Sequence, residues 1–253
     1  MISHADVVKR SRRHNHEENV WVHPFSGRVS SWLTWVFINM GLSANQVTML
    51  MFASGVGVAV SLLADSFAFA VLAFALFRLH VLLDVSDGEV ARYRNQVSRF
   101  GVYWDQLIHT FTYPAILAGL ALGRLFGEAE LAVVGFALVA MIAKSTDLGA
   151  KNVYYRVLYS SGEAPAESSE GAAPGSRFGA VRRLVGPVLH ISGFDGLLFF
   201  YAAAYLIDGS AFGLETRDWV VAAYSIIFTA VALGRVVVTA RRDKLPMRRD
   251  FRR

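Results

Sequence analysis

The sequence predicts an all-α integral membrane protein, a six-transmembrane-helix bundle preceded by an N-terminal interfacial amphipathic helix. Three observations carry this expectation. The chain of 253 residues is 54% hydrophobic and 18% charged, with mean hydropathy +0.40, which is less charge than a soluble domain of this size carries. The apolar residues fall in blocks close to the roughly 20 that cross a bilayer. These blocks have no polar face, which a soluble helical bundle would need. Finally, lysine and arginine concentrate in alternate loops.

Taken in chain order, residues 1–24 read as a polar, basic cytoplasmic tail without the apolar core of a cleavable signal peptide. Residues 25–240 read as one six-span domain, and 241–253 as a second basic cytoplasmic tail. No internal repeat is visible. Val29, Trp32, Leu33, Val36, Phe37 and Met40 recur at helical spacing between serines and an arginine, the pattern of an amphipathic helix lying at the membrane surface. The spans are Val47–Ala64, Phe67–Leu83, Leu107–Leu125, Leu131–Ala143 with its extensions, a weaker Leu184–Ile207, and Trp219–Ala240. Residues 161–176, SGEAPAESSEGAAPGS, are a low-complexity loop, followed by a second interfacial helix at Phe178–Val188. The absence of cysteine excludes disulfides and thiol chemistry.

Segments 1–46, 88–100, 148–190 and the tail after 240 hold twenty lysines and arginines, whereas the opposite loops hold two, Arg124 and Arg217. Positive charge marks the cytoplasmic side. Both termini and the loop at 88–100 are therefore expected in the cytoplasm, with the protein in the cell (inner) membrane. Basic patches beside spans suit an anionic lipid leaflet better than nucleic acid.

Asp84, Asp87, Asp105 and His109 interrupt this apolar pattern. Residues three, four and seven apart share a helix face, so Asp84, Asp87, Gly88 and Ala91 form one stripe at the end of the second span. Gly101, Asp105 and His109 form another at the start of the third. A short connection brings the stripes together. A single acid at a helix end ordinarily caps it or pairs with an arginine. Each charge buried in a bilayer costs about 2.5–3.5 kcal/mol, and three converging carboxylates repel unless something positive lies between them. Hard divalent cations suit carboxylate oxygens, and the small residues leave room for a ligand or a neighbouring backbone.

Written out, the stretch is Asp84-x-x-Asp87-Gly88-x-x-Ala91-Arg92, eight residues, then Gly101-x-x-x-Asp105-x-x-x-His109. It resembles the signature of the CDP-alcohol phosphotransferases, with His109 where that family has its last aspartate. The segment LSANQVTML resembles the family's Thr-Pro-Asn-x-x-Thr entry to its first span, keeping Asn45 and Thr48 with Ala44 in place of proline. The resemblance covers about residues 25–125. It implies attack of an acceptor hydroxyl on the phosphorus of a CDP-linked donor such as CDP-diacylglycerol, with release of CMP. It also implies Mg2+ or Mn2+ held by Asp84, Asp87 and Asp105 with His109, and a nucleotide site lined by Gly88, Ala91 and Gly101, with Arg92, Asn45 and Thr48 also toward substrate. His109 stands in the place of the general base, beside Asp105. Imidazole, which titrates near pH 6.5 when unperturbed, serves as base or metal ligand. The implied partners are the donor, a small alcohol or alcohol-phosphate acceptor, membrane lipid and a second copy as a homodimer; nucleic acid is not among them.

Arg78, His80, Lys144, Asp147, Asp195 and Arg235 fall in or near spans, where ionisable residues face the bundle interior. Lys144 and Arg235 either hold an acceptor phosphate or snorkel to headgroups. His4, His14, His16 and His23 read as solvent-exposed. Two other classes of function compete with the transferase. A catalytically silent cation- or nucleotide-binding scaffold would keep the fold and lose the reaction at His109. A cation transporter would need acids spread through the bilayer, whereas these cluster at one end. Glycerol phosphate, inositol phosphate, serine and a sugar alcohol all stay open as acceptors.

Overall fold

A computed structural model describes residues 2–11, 26–127, 129–160, 192–208 and 216–240. These form eight helices and no strand: α1 His4–Ser11, α2 Ser26–Asn39, α3 Ala44–Leu62, α4 Phe67–Tyr93, α5 Arg99–Phe126, α6 Leu131–Ser160, α7 Phe194–Asp208 and α8 Thr216–Ala240. Within the described residues, each of the six apolar blocks falls in one helix from α3 to α8, the fifth from Phe194 onward. Four helices are long and apolar enough to cross a membrane: α3, α4, α6 over Leu131–Tyr154, and α8. The expected loop at 161–176, the helix at Phe178–Val188, the start of the Leu184–Ile207 span and the tail at 241–253 lie outside the described residues, as do His14, His16 and His23.

The N-terminal segment departs from a plain tail. Val7 of α1 is fully buried. His4, expected in solvent, stacks on Trp32 with ring centroids 4.0 Å apart, and its Nε2 lies 3.2 Å from the Ser31 hydroxyl. The indole of Trp35 donates to the Ile2 carbonyl at 2.7 Å. The reason is α2. Its serine and threonine side turns inward, where the hydroxyls of Ser30 and Thr34 donate to the Glu89 carboxylate at 3.3 and 2.6 Å. Glu89 is 1% exposed, and a carboxylate so buried needs donors. Of the expected apolar stripe, Val29, Trp32, Val36 and Met40 face outward, with Trp32 57% exposed, whereas Phe37 is buried and Leu33 packs against the same core.

Small residues set the crossing of α3 and α5. A Cβ on Gly119 or Gly123 would collide with the Ala59 or Leu62 carbonyl, so the two backbones touch directly. Beyond that crossing Arg124, 4% exposed, donates to Asp65 at 2.8 Å and Asp218 at 2.6 Å. The hydroxyls of Tyr201 and Tyr205 also donate to Asp65, at 2.9 and 2.6 Å. These bonds tie the α3–α4 turn to α5, α7 and α8 at one end. The ionisable signature residues lie at the other.

Candidate functional site

α4 runs past its apolar block to Tyr93, so Asp84 and Asp87 sit within a continuous helix. The chain turns through Asn95, which takes a left-handed φ of 53°. Ser98 then caps α5 by accepting the Gly101 N–H at 3.0 Å. α3 begins with a reciprocal cap: Gln46 N–H donates to the Ser43 hydroxyl, and Ser43 N–H to the Gln46 side chain at 2.8 Å. α3 packs along both α4 and α5 and backs the space where their acidic ends meet.

Asp84 and Asp87, three positions apart, differ by about 60° around the helix, and they face different neighbours. Asp84 turns to α5, where His109 Nε2 lies 3.0 Å from its Oδ1 and 3.3 Å from Asp105 Oδ1. Ligand atoms of Asp84, Asp105 and His109 all lie within 4.8 Å of one another. Asp87 turns to α3 and accepts the Thr48 hydroxyl at 2.7 Å; it is not one of that trio. The His109 side chain is 13% exposed, Asp105 29% and Asp84 38%, so the group opens on the carboxylate side and is closed behind the imidazole.

The other expected site residues are distributed around this group. Gly88 faces the Arg92 guanidinium, which a Cβ at residue 88 would approach at 3.2 Å. Ala91 is half-buried on the same helix. Arg92 Nε donates to the Ser11 carbonyl at 2.6 Å, holding the end of α1. Gly101 lies in the capped first turn of α5, and Asn45 is exposed in the first turn of α3. Lys144 and Arg235 converge on one carboxylate: Lys144 Nζ lies 3.5 Å from Asp147, and Arg235 Nε bonds to the same group.

Tyr113 and Glu89 were not singled out from the sequence. Tyr113 stacks on His109 at 5.3 Å and on Phe194 at 5.0 Å. Lys144 Nζ stands over both rings, at 5.4 and 5.8 Å, so an aromatic column links the acidic group to the Lys144–Asp147–Arg235 cluster. The signal was present: Asp105, His109 and Tyr113 follow one another at four-residue steps.

The family model for CDP-alcohol phosphatidyltransferases matches residues 41–174, more than half of the chain. The chain belongs to the CDP-alcohol phosphatidyltransferase family. Membership agrees with the apolar helices in making this an integral membrane protein. Among solved structures, the chain is similar to phosphatidylinositol phosphate synthase (PgsA1) of Mycobacterium tuberculosis with CDP-DAG bound. The TM-score is 0.60 at 16% identity, covering 87% of this chain and 98% of that one. The same synthase in complex with manganese and citrate matches with a TM-score of 0.57 at 15% identity, covering 87% and 92%. This likeness is one of fold. The comparison with curated proteins finds no match.

The acidic group suits a hard divalent cation. Ligand atoms on opposite sides of one ion sit about 4–5 Å apart, twice the metal–ligand distance, and the trio falls within 4.8 Å. The two carboxylates are donors that suit Mg2+ or Mn2+, and the imidazole beside them is a donor more usual on later transition metals.

Proposed function

We propose that the protein is a membrane-embedded transferase that moves a phosphatidyl, or other phospho-alcohol, group from a CDP-linked donor to an acceptor hydroxyl. The observation that carries this reading is the convergence of Asp84, Asp105 and His109 within 4.8 Å in a chain of this family. Asp84 and Asp105 would hold a divalent cation, with Asp87 as a further donor steadied by Thr48, and His109 beside them keeps its Nε2 for the acceptor's proton. A cation bound there would hold the donor pyrophosphate and offset charge developing on its oxygens.

The protein's own groups divide the remaining work. Gly88, Ala91 and Gly101 leave space for the nucleotide, and Asn45, Thr48 and Arg92 border it. The acceptor oxygen forms a bond to the donor phosphorus as the bond to the CMP oxygen breaks. The hydroxyl proton passes to His109, whose nitrogen faces Asp84 and Asp105. Lys144 and Arg235, gathered by Asp147, are the cations proposed for the acceptor side. Six spans with both termini in the cytoplasm complete the proposal. Support for it comes from the twenty-to-two distribution of lysine and arginine and from the outward apolar stripe of α2, which suits the membrane surface.

One observation favours a second reading: His109 occupies the position of the family's last aspartate, so the fold would bind cation and nucleotide without turnover. Labelled CDP-diacylglycerol supplied with glycerol phosphate, inositol phosphate, serine or a sugar alcohol separates the two. Cation-dependent CMP release with one acceptor supports the transferase. Retained cation and cytidine-nucleotide binding without CMP release from any of them supports the scaffold.

A further inference from the structure

His80 lies on α4 one turn before Asp84 and is fully buried. Its Nδ1 is 2.9 Å from the Met51 carbonyl oxygen. A carbonyl only accepts, so Nδ1 carries the hydrogen, and in the neutral ring Nε2 is then a bare acceptor. That Nε2 is buried and has no hydrogen-bond partner among the described residues. His109 presents the complementary case: Nε2 faces Asp84 and Asp105, while Nδ1 is buried with no partner. The two rings are neighbours, with centroids 5.7 Å apart and planes at 82°.

The geometry points to His80 as the positioning residue for His109: His80 Nε2 accepts the Nδ1–H of His109 and so fixes the ring with its other nitrogen, Nε2, on Asp84 and Asp105. This rests on the transferase reading. A hydrogen bond on one ring nitrogen decides which tautomer the other nitrogen shows to a metal or a substrate. The chain is Met51 carbonyl, His80, His109, site. The surroundings are shaped to the His80 ring: a Cβ on Gly55 would meet its Nδ1 at 3.1 Å and its Cε1 at 3.3 Å, and Phe77 stacks on it at 5.9 Å. A plain core-filling role would be served by leucine or phenylalanine, without a desolvated nitrogen beside the site.

The test uses the purified full chain in detergent, with Mn2+ binding followed by electron paramagnetic resonance and CMP release measured in parallel. His80→Phe keeps an aromatic ring and removes the acceptor. It should weaken Mn2+ binding and slow turnover by about 10–100-fold. His80→Gln, which returns an amide oxygen near the Nε2 position, should recover part of both. In a His109→Ala background, His80→Phe should change nothing further, because the group it positions is gone. His80→Met serves if the phenylalanine variant does not fold. Wild-type Mn2+ affinity in the variant lacking an acceptor overturns the assignment, and so does an equal loss in the His109→Ala background. If the wild type releases no CMP, the transferase reading fails and the Mn2+ arms alone judge His80.

Discussion

Replacing His109 with alanine removes the nitrogen that lies 3.0 Å from Asp84 and 3.3 Å from Asp105. The carboxylates are then left facing one another, with ligand oxygens no more than 4.8 Å apart. Two unit charges at that distance repel by about 3–4 kcal/mol at an effective dielectric of 20. Asp84 and Asp105 are 38% and 29% exposed, and solvent screening reduces the repulsion to about 1–2 kcal/mol. In chelator, His109→Ala should therefore unfold at a lower temperature than wild type. A divalent ion should return part of the loss, since a ligand that binds only the folded state stabilises it by about 2.7 kcal/mol at a hundred times its Kd. Turnover should fall by about 10²–10⁴-fold through loss of the base, equal to about 2.7–5.4 kcal/mol of barrier. His109→Asp puts a third carboxylate in the group, so it should keep partial activity and gain more stability from the cation than wild type does. Scanning fluorimetry with chelator or Mn2+, alongside CMP release, reads all three variants. Wild-type turnover by His109→Ala would refute the base assignment. Equal Mn2+ stabilisation of wild type and His109→Asp would refute the electrostatic argument.

Asp87→Asn should abolish turnover and weaken Mn2+ binding together. Thr48→Val, which removes a hydrogen bond to a carboxylate worth about 1.5–3 kcal/mol, should cost about 10–100-fold in the same two readouts. Arg124→Met leaves Asp65 and Asp218 without their shared buried partner and should lower stability by about 3–5 kcal/mol. It should leave Mn2+ binding unaltered, because the network lies roughly 25–28 Å along α4 from Asp84; weakened Mn2+ binding would show that the two ends are coupled. Tags at either terminus should be protected from external labelling in intact cells, and a tag at residue 253 that labels from outside would contradict the six-span topology.

Helix content was readable because apolar blocks of bilayer length leave the chain few other solutions, and the described part of each contains a helix. Orientation within the bundle was harder to read. Asp84 and Asp87 look like one stripe in the sequence, yet the offset left by a three-residue step turns one to α5 and the other to Thr48 of α3. The periodicity of α2 implied a helix, but its expected apolar stripe is split, with Phe37 buried and Trp32 and Met40 exposed. The inward turn of its Ser30 and Thr34 side depended on Glu89, a partner about sixty positions away that no local pattern announces. Arg124 and Arg217 were expected simply as loop charges. Their closure onto Asp65 depends on four helix ends meeting, which local spacing does not contain. His80 and Tyr113, in contrast, were within reach: extending each acidic stripe by one more turn finds both.

The account stands most directly on one measurement, Mn2+ titration of the purified protein in parallel with CMP release from CDP-diacylglycerol. Wild type should bind Mn2+ saturably, and turnover should rise with occupancy. Asp84→Asn and Asp105→Asn should each lose both together. Turnover that persists in excess chelator, or Mn2+ binding undiminished in Asp84→Asn and Asp105→Asn, would contradict the claim that Asp84 and Asp105, beside His109, hold the cation on which the reaction depends.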